Sequence, residues 1–467
     1  MRLFAASFLL LTVPVFAQLS PQQQQQVGQI ATSTLEKTGV PSASVAIVQD
    51  GKLVYARAFG LAHTHPDVAA EASMAYPIGS ISKQFTASAI LVLEQEGKLS
   101  VDDPVSKYFP ELTRAKEVRL RNLLTMTSGY EDYAPQDYII PAWMKPRSPE
   151  SLVEEWATKP LDFTPGSQWQ YSNTNYVLLA LIVQKVSGEP FAEFLREHVL
   201  KPAHVEDAFN AYAEREKLRV TGYVSYALQP VREQPLEATG WYFGAGDLAM
   251  PASSLAQWDV CMMTHCLLTE KSYLEQQTPF HFTSGPLSGQ SSGYGFGIFV
   301  NQAGGVLRLE HSGEVGGFVA ENVVFPQQQA AIVVLTNEVA SGAAAQIARH
   351  VAALLPGTSD SAQKPKEDTL APELKQILAG LAKGRIDRSL FTADCNAYFA
   401  PAALEDFQHE LEPRGALESL ERTRSDDRGG MTFYGYDAKF ADGTVLRLTL
   451  YVEPDGKIEQ LLIVSKL

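Results

Sequence analysis

The sequence predicts a chain of two domains, a mixed α/β region followed by a smaller α+β region. Its 467 residues exceed the length of one ordinary domain, so at least two are expected. The segment 81–93 is apolar on nearly every side, as in a buried helix, and apolar runs typical of strands occur between 295 and 337. A polar stretch, 357–366, precedes a C-terminal part with its own strands and turns.

Composition and charge narrow the class of partner. The chain is 45% hydrophobic and 19% charged, which is typical of a globular protein, and its net charge is -15. An acidic chain is repelled by phosphate backbones and by anionic lipid headgroups. We therefore expect no nucleic-acid partner and no anionic-membrane partner.

The first 17 residues are predicted to be a signal peptide. Met1 and Arg2 form a short basic start, and the apolar run 3–16 is too short to span a bilayer. Small residues at Val15 and Ala17 fit cleavage before Gln18. No later stretch is long and apolar enough to span a membrane, so the mature protein is expected to be soluble and exported, to a periplasm or to the medium.

The N-terminal elements follow from local patterns. A helix is expected to continue to Lys37, after which two strand-like runs, 42–48 and 52–59, flank Gln49-Asp50-Gly51. Asp-Gly between two apolar runs is a hairpin signal. Further elements are predicted as helices over 119–126, 176–186, 254–263 and 347–355, and as strands over 295–301, 306–310, 321–325 and 331–337.

The C-terminal part is predicted to be an antiparallel sheet with helices. Turns at Asp442-Gly443 and Asp455-Gly456 separate its last three strands. The predicted helices are 372–382 and 402–411, and the predicted strands are 416–422, 431–440, 444–452 and 458–464. The expected domain boundaries are therefore 18–356, a linker at 357–367, and 368–467.

Three cysteines, Cys261, Cys266 and Cys395, form no pattern of metal ligands. Neither a metal nor a cofactor is expected. Cys261 and Cys266 are five residues apart, so they either pair in an oxidising compartment or remain buried free thiols.

Ser80 and Lys83 carry the strongest chemical signal. Residues three apart share one face of a helix, so the Lys83 amine can reach the Ser80 hydroxyl. A serine alcohol needs a partner that takes its proton, and a lysine serves only if burial or a nearby cation lowers its pKa. A helix cap and a surface lysine are the alternative, but a lysine within so apolar a run favours catalysis.

Two further signals follow in order, Tyr171-x-Asn173 and His311-Ser312-Gly313. With Ser80-x-x-Lys83, this set resembles the serine β-lactamase and penicillin-binding-protein family, in particular class C β-lactamases, DD-carboxypeptidases, D-aminopeptidases and β-lactamase-like esterases. The resemblance covers about residues 25–355. Other segments that are similar to the family are 78–99, 123–129, 163–166, 246–248 and 294–297.

The resemblance implies an antiparallel sheet flanked by helices with a helical insert. It also implies that Ser80 attacks a carbonyl group and forms an acyl-enzyme. Lys83 and Tyr171 would share the proton transfers, and either could be the base. Asn173 would hydrogen-bond the substrate amide or Lys83.

The His311 triplet would bind the substrate. His311 stands where β-lactamases more usually have lysine, and it could offer a positive or a hydrogen-bonding group. Ser312 belongs to the same substrate-binding set, and Gly313 would let the strand approach the substrate. By analogy with the family, the oxyanion hole would consist of the backbone amides of Ser80 and Glu314.

The expected function is hydrolysis of an amide or an ester in a small molecule or peptide, by a peptidase or an esterase; a β-lactamase is the alternative within the same class. A non-catalytic binder of peptidoglycan-like peptides or of a protein is the alternative from another class, but a binder has no need of Lys83 beside Ser80.

The C-terminal domain loosely resembles NTF2-like or cystatin-like domains. It could cover the active site, bind substrate or cell wall, or hold a dimer, and the oligomeric state stays open.

Overall fold

The structure, a computed structural model, describes residues 19–281, 293–303, 305–355, 357 and 370–466. The predicted signal peptide lies outside these ranges, and so does the predicted linker apart from Gly357. Within the described ranges, no helix has both the length and the apolarity that crossing a bilayer requires.

The helices of the described residues alternate with strands along the first part of the chain and precede the strands in the last part. They are α1 (Pro21–Thr38), α2 (Ser82–Gln95), α3 (Leu120–Leu124), α4 (Pro149–Trp156), α5 (Asn173–Ser187), α6 (Phe191–Leu195), α7 (Ala252–Thr264), α8 (Glu270–Gln276), α9 (Ala343–Ala352), α10 (Ala371–Leu381), α11 (Ala393–Tyr398) and α12 (Pro401–Leu411).

The strands of the described residues form two main sheets, of nine and four strands, and two small sheets, of three and two strands. They are β1 (Ser42–Gln49), β2 (Lys52–Thr64), β3 (Asp67–Ala69), β4 (Tyr76–Pro77), β5 (Phe209–Asn210), β6 (Tyr223–Val224), β7 (Arg232–Glu233), β8 (Leu248–Met250), β9 (Phe280–His281), β10 (Gly293–Tyr294), β11 (Phe299–Ala303), β12 (Val306–Val315), β13 (Phe318–Phe325), β14 (Ala330–Thr336), β15 (Leu417–Arg428), β16 (Met431–Phe440), β17 (Val445–Val452) and β18 (Ile458–Lys466).

The main sheet is antiparallel and has nine strands in the order β3-β2-β1-β14-β13-β12-β11-β10-β9. Helices α1 and α9 pack together on one face, and α7 packs on the other face with α2 and α5 beyond it. All seven residues of β14 are buried, which explains why its sequence is a continuous apolar run. This arrangement confirms the predicted antiparallel sheet flanked by helices, with α3 to α6 as the helical insert.

The hairpin between β1 and β2 forms where it was predicted. Asp50 and Gly51 connect the strands, and both have positive φ angles, 51° and 67°. A two-residue turn of this kind matches the right-handed twist of the flanking strands. Here the local pattern was sufficient to define the structure.

The predicted strand over 295–301 begins too early, because residues 295–298 form a turn between β10 and β11 and the strand starts at Phe299. The Gly295 amide donates to the Ile298 carbonyl at 2.8 Å, and Gly297 has a φ of 75°. A Cβ at Gly297 would lie 2.6 Å from the Lys83 carbonyl oxygen. The close approach of this turn to α2 therefore interrupts an otherwise strand-like sequence.

The C-terminal part has a second antiparallel sheet, in the order β15-β16-β17-β18, covered by α10, α11 and α12. This confirms the small α+β domain, and β16 has the predicted bounds. Cys395 is a buried free thiol in this domain. Cys261 and Cys266, in the first domain, form a disulfide.

The second sheet packs against the segment that follows residue 130. The Asp137 amide donates to Gln460 Oε1 at 2.8 Å, and Gln460 Nε2 donates back to Asp137 Oδ2 at 2.9 Å. The Tyr138 hydroxyl donates to the Glu459 carbonyl at 2.8 Å, and its ring centroid lies 5.1 Å from that of Tyr398. The C-terminal domain is thus joined to the helical insert through buried polar contacts.

Candidate active site

Ser80 lies in a short 3-10 turn, Gly79–Ile81, that leads directly into α2. Lys83 occupies the first turn of α2, and its side chain is fully buried. The Lys83 Nζ lies 2.9 Å from Ser80 Oγ, and it donates to Asn173 Oδ1 at 2.7 Å and to the Ala245 carbonyl at 2.7 Å. The predicted contact between the serine and the lysine is therefore present, although Ser80 precedes the α-helix proper.

The surroundings of Lys83 favour a neutral amine. Burial lowers its pKa well below the ordinary value, Asp132 and Asp247 oppose this shift, and Arg428 adds to it. A neutral amine has a lone pair, whereas an ammonium group has none. At 2.9 Å from Ser80 Oγ, the neutral amine can accept the serine proton.

Tyr171 lies beside the pair formed by Ser80 and Lys83. Its ring centroid lies 4.9 Å from the Lys83 Nζ. Burial raises the pKa of Tyr171 above its ordinary value, and the Arg428 charge and the nearby Ser80 hydroxyl only partly offset this effect. The phenol is therefore protonated at neutral pH, which suits it to pass a proton on.

Asn173 begins α5 and is oriented by Asp132. Asp132 Oδ1 accepts from the Asn173 backbone amide at 2.9 Å and from its Nδ2 at 3.0 Å. This fixes the side-chain amide so that its oxygen faces Lys83. Of the two predicted partners for Asn173, the structure shows Lys83.

His311 lies on β12 and is 2% exposed. Its Nδ1 lies 2.6 Å from the Ser312 carbonyl oxygen, which can only accept, so Nδ1 donates. Its Nε2, 2.9 Å from the Tyr294 hydroxyl, then accepts. Burial lowers the pKa of His311 to about 3, with Lys83 contributing. The positive group considered for this position is therefore excluded at neutral pH, and a neutral imidazole remains.

We expect His311 not to titrate in the functional pH range. In a His311→Gln variant, the acid limb of the pH profile for labelling by a fluorophosphonate should stay where it is in the wild type. The reason is that the imidazole is already neutral at every pH above about 3. Loss in the variant of a limb that the wild type shows near pH 6.5 would contradict the neutral assignment.

Two glycines bring β12 against the turn that carries Ser80. A Cβ at Gly313 would lie 1.9 Å from the Ile78 carbonyl oxygen and 3.1 Å from the Ser80 amide nitrogen. Gly79, with a φ of 51°, would place a Cβ 2.5 Å from the Glu314 amide nitrogen. The Ser80 and Glu314 amides therefore lie on adjoining backbone segments, as an oxyanion hole requires.

Ser312 and Glu314 lie on the same strand as His311 but have different surroundings. The Ser312 side chain is exposed, and its carbonyl fixes the His311 ring. The Glu314 carboxylate accepts from the Ala340 amide at 2.7 Å, so this side chain contacts the segment that follows β14. Burial raises the pKa of Glu314 well above the ordinary value, as does nearby Asp137.

Sequence reasoning missed two residues of the site, Asp132 and Arg428. The Arg428 Nε donates to Asp132 Oδ2 at 3.1 Å, and the guanidinium carbon lies 4.8 Å from the Tyr171 ring centroid. An acid in a loop and an arginine beside a Gly-Gly turn are ordinary features of a sequence. Within the described ranges, no group of three or more His, Cys, Asp or Glu side chains is arranged to hold a metal.

Comparisons with known proteins identify a family for this sequence. The sequence model of the β-lactamase family matches residues 27–355. The chain is 30% identical over 297 residues to PbpX of Bacillus subtilis, which is named as a penicillin-binding protein; the match covers 63% of this chain and 70% of that protein. It is 29% identical over 328 residues to protein flp of Staphylococcus aureus, covering 68% of this chain and 64% of flp, less than two thirds of its length.

Solved structures show the same fold. A structure of the octameric penicillin-binding protein homologue from Pyrococcus abyssi matches with a TM-score of 0.62 at 22% identity, over 95% of this chain and 99% of that one. The D-amino acid amidase of Ochrobactrum anthropi SV3 matches with a TM-score of 0.62 at 20% identity, over 72% of this chain and 100% of the other. The family match extends over more than half of the sequence and includes the three motifs around Ser80, and on this ground the chain belongs to the β-lactamase family.

Proposed function

We propose that the protein is an exported serine hydrolase that cleaves an amide or an ester through an acyl-enzyme on Ser80. The observation that carries this proposal is the 2.9 Å contact between Lys83 Nζ and Ser80 Oγ within a buried site. Burying a lysine side chain costs folding free energy, so a lysine at such a position indicates a functional role. Removing the proton of a serine hydroxyl is a role that a neutral amine can perform. Export rests on the predicted signal peptide, residues 1–17.

Acylation would begin with attack of Ser80 Oγ on the substrate carbonyl carbon while the Lys83 amine takes the hydroxyl proton. The negative charge that develops on the carbonyl oxygen would be bound by the Ser80 and Glu314 amides. When the tetrahedral intermediate collapses, the amine or alcohol leaves with a proton passed through Tyr171, and Lys83 is neutral again. Asn173 would keep the Lys83 amine directed at the nucleophile throughout.

Deacylation would use water in place of the serine hydroxyl. The same base removes a proton from water, the resulting hydroxide attacks the ester carbonyl carbon, and the bond to Ser80 Oγ breaks. The proton returns to Ser80, and the acid product leaves. Since both half-reactions need one base and one oxyanion site, a single arrangement of side chains serves them.

A peptidase or an esterase is proposed ahead of a β-lactamase. The neutral His311, with its two ring nitrogens bonded to Ser312 and Tyr294, places no cation at the position where β-lactamases more usually have lysine. A substrate would therefore be recognised at this strand without an ion pair to residue 311. The substrate class is an amide or ester of a small molecule or a peptide.

Mass spectrometry of the protein after incubation with a fluorophosphonate, and separately with a penicillin, tests the proposal. We expect a single fluorophosphonate adduct on Ser80. An additional penicillin adduct on Ser80 would favour a penicillin-recognising enzyme, whereas a fluorophosphonate adduct alone would favour an esterase or aminopeptidase. An adduct from neither reagent would overturn the proposal in favour of a non-catalytic binder, and the intact mass also shows whether the chain starts at Gln18.

A further inference from the structure

The hairpin of β15 and β16 reaches from the C-terminal domain to the candidate active site. Gly429 and Gly430 form its two-residue turn with φ angles of 59° and 75°. A Cβ at Gly429 would lie 2.9 Å from the Pro135 Cβ and 3.4 Å from the Asp132 carbonyl oxygen. The tip of the hairpin is therefore in close contact with the segment 132–135, beside Tyr171.

Arg428, the last residue of β15, is held at this tip by three hydrogen bonds. Its Nε donates to Asp132 Oδ2, its Nη1 to the Tyr451 hydroxyl and its Nη2 to the Ala134 carbonyl, each at 3.1 Å. Its backbone also forms an isolated β-bridge with Tyr171. A planar guanidinium bound in three directions has a defined position, unlike that of an exposed arginine.

Asp132 links this arginine to the catalytic lysine. One carboxylate oxygen accepts from Arg428, while the other accepts twice from Asn173. Asn173 in turn accepts from the Lys83 Nζ, which lies within hydrogen-bond distance of Ser80 Oγ. A continuous series of hydrogen bonds therefore runs from the C-terminal domain to the nucleophile.

We propose that Arg428 is a positioning residue of the Ser80 site. Through Asp132 and Asn173, it holds the Lys83 amine at the nucleophile, and its charge neutralises Asp132 so that this carboxylate does not stabilise a Lys83 ammonium group. The C-terminal domain thereby completes the active site. This inference rests on the proposed acyl-enzyme function, which it deepens.

The charges around Lys83 give the direction of the effect. Groups that act on or face its amine come from several elements: Asp132, Asp247, Arg428, Tyr171, Tyr176 and His311. Asp132 and Asp247 favour the ammonium form, and Arg428 disfavours it. Removal of Arg428 takes away a cation and leaves Asp132 without its partner, and both changes raise the pKa of Lys83. Arg428 also lowers the pKa of Tyr171, so the sign is the same if the tyrosine is the base.

Other contacts keep the two domains together when Arg428 is replaced. Arg232 forms an ion pair with Asp406, and Gln229 donates to Glu410 Oε2 at 2.9 Å. The contacts of Tyr138 with Glu459 also remain. A variant at Arg428 is therefore expected to keep the C-terminal domain docked.

The rate of labelling of Ser80 by a fluorophosphonate, measured from pH 5 to 10 in the full-length protein, tests the inference. Arg428→Ala should lower the rate at pH 7 by about 10- to 100-fold, because the base loses both its orientation and its neutral form. Its acid limb should move to higher pH by about one unit. Arg428→Lys keeps the positive charge but lacks the planar guanidinium group. The acid limb of its pH profile should therefore lie close to that of the wild type.

Arg447→Ala is the matched control. Arg447 lies on β17 in the same sheet and forms a two-bond ion pair with Asp437, with N–O distances of 2.9 and 3.0 Å. Arg447→Ala should be labelled at the wild-type rate, and the acid limb of its pH profile should be unchanged.

If Arg428→Ala has the melting temperature of the wild type and is labelled at the same rate with the same acid limb, the inference is wrong. If instead both Arg428 variants lose rate with no shift of the limb, Arg428 has only a structural role. Absence of labelling in the wild type would contradict the proposed function itself.

Discussion

Replacing Ser80 with alanine is expected to lower kcat/KM for p-nitrophenyl acetate by about 10⁴-fold or more. The hydroxyl oxygen is the atom that would become acylated. Among the described residues, the hydroxyl of Ser80 is the one within hydrogen-bond distance of the Lys83 amine. Oxyanion donors and bound water alone leave a small residual rate. Steady-state hydrolysis and mass spectrometry of the fluorophosphonate adduct both measure this effect.

A control at Ser88 separates the chemistry of Ser80 from the stability of α2. Ser88 is buried in the same helix and donates to the Gln84 carbonyl at 2.9 Å, far from any role in proton transfer. Ser88→Ala should keep its turnover and its adduct. Turnover that persists in Ser80→Ala would show that the nucleophile has been misassigned, whereas equal losses in both variants would indicate damage to the helix.

Replacing Lys83 with methionine is expected to lower kcat/KM by about 10²- to 10⁴-fold, the range for a lost general base. Methionine fills a similar volume in the apolar surroundings, so the protein should still fold. Two effects on the free energy of unfolding oppose each other, since the cost of burying an amine disappears while three groups lose a hydrogen-bond partner. We therefore expect the net change to be within about 2 kcal/mol, as judged by urea unfolding.

The pH profile of Lys83→Met distinguishes the two candidate bases. A base works in its deprotonated form, so the wild-type rate rises with pH through the pKa of the base, which burial lowers for Lys83. If Lys83 is the base, this limb disappears in the variant; a limb that persists at the same pH would assign it to another group, such as Tyr171. Lys98→Met, at an exposed lysine paired with Glu96, should change neither the rate nor the limb.

The sequence by itself determined the features that depend on neighbours along the chain. Apolar runs and turn signals predicted most of the strands, Asp50-Gly51 predicted the first hairpin, and the three-residue spacing of Ser80 and Lys83 predicted their contact. Each of these features involves residues close in sequence, whose geometry follows from local backbone preference and side-chain periodicity. The order of the three motifs then carried the family resemblance, which the family match confirmed.

Only the tertiary structure decided which distant residues meet and which of them are charged. Asp132 and Arg428 form an ion pair although they are 296 residues apart, and neither stands in a distinctive motif. His311 is neutral because packing of the sheet and Tyr294 removes it from water, a property that its residue type does not reveal. The turn at Gly297 likewise depends on its contact with Lys83. Desolvation and long-range contact are properties of the packed chain, and therefore no local pattern of residues specifies them.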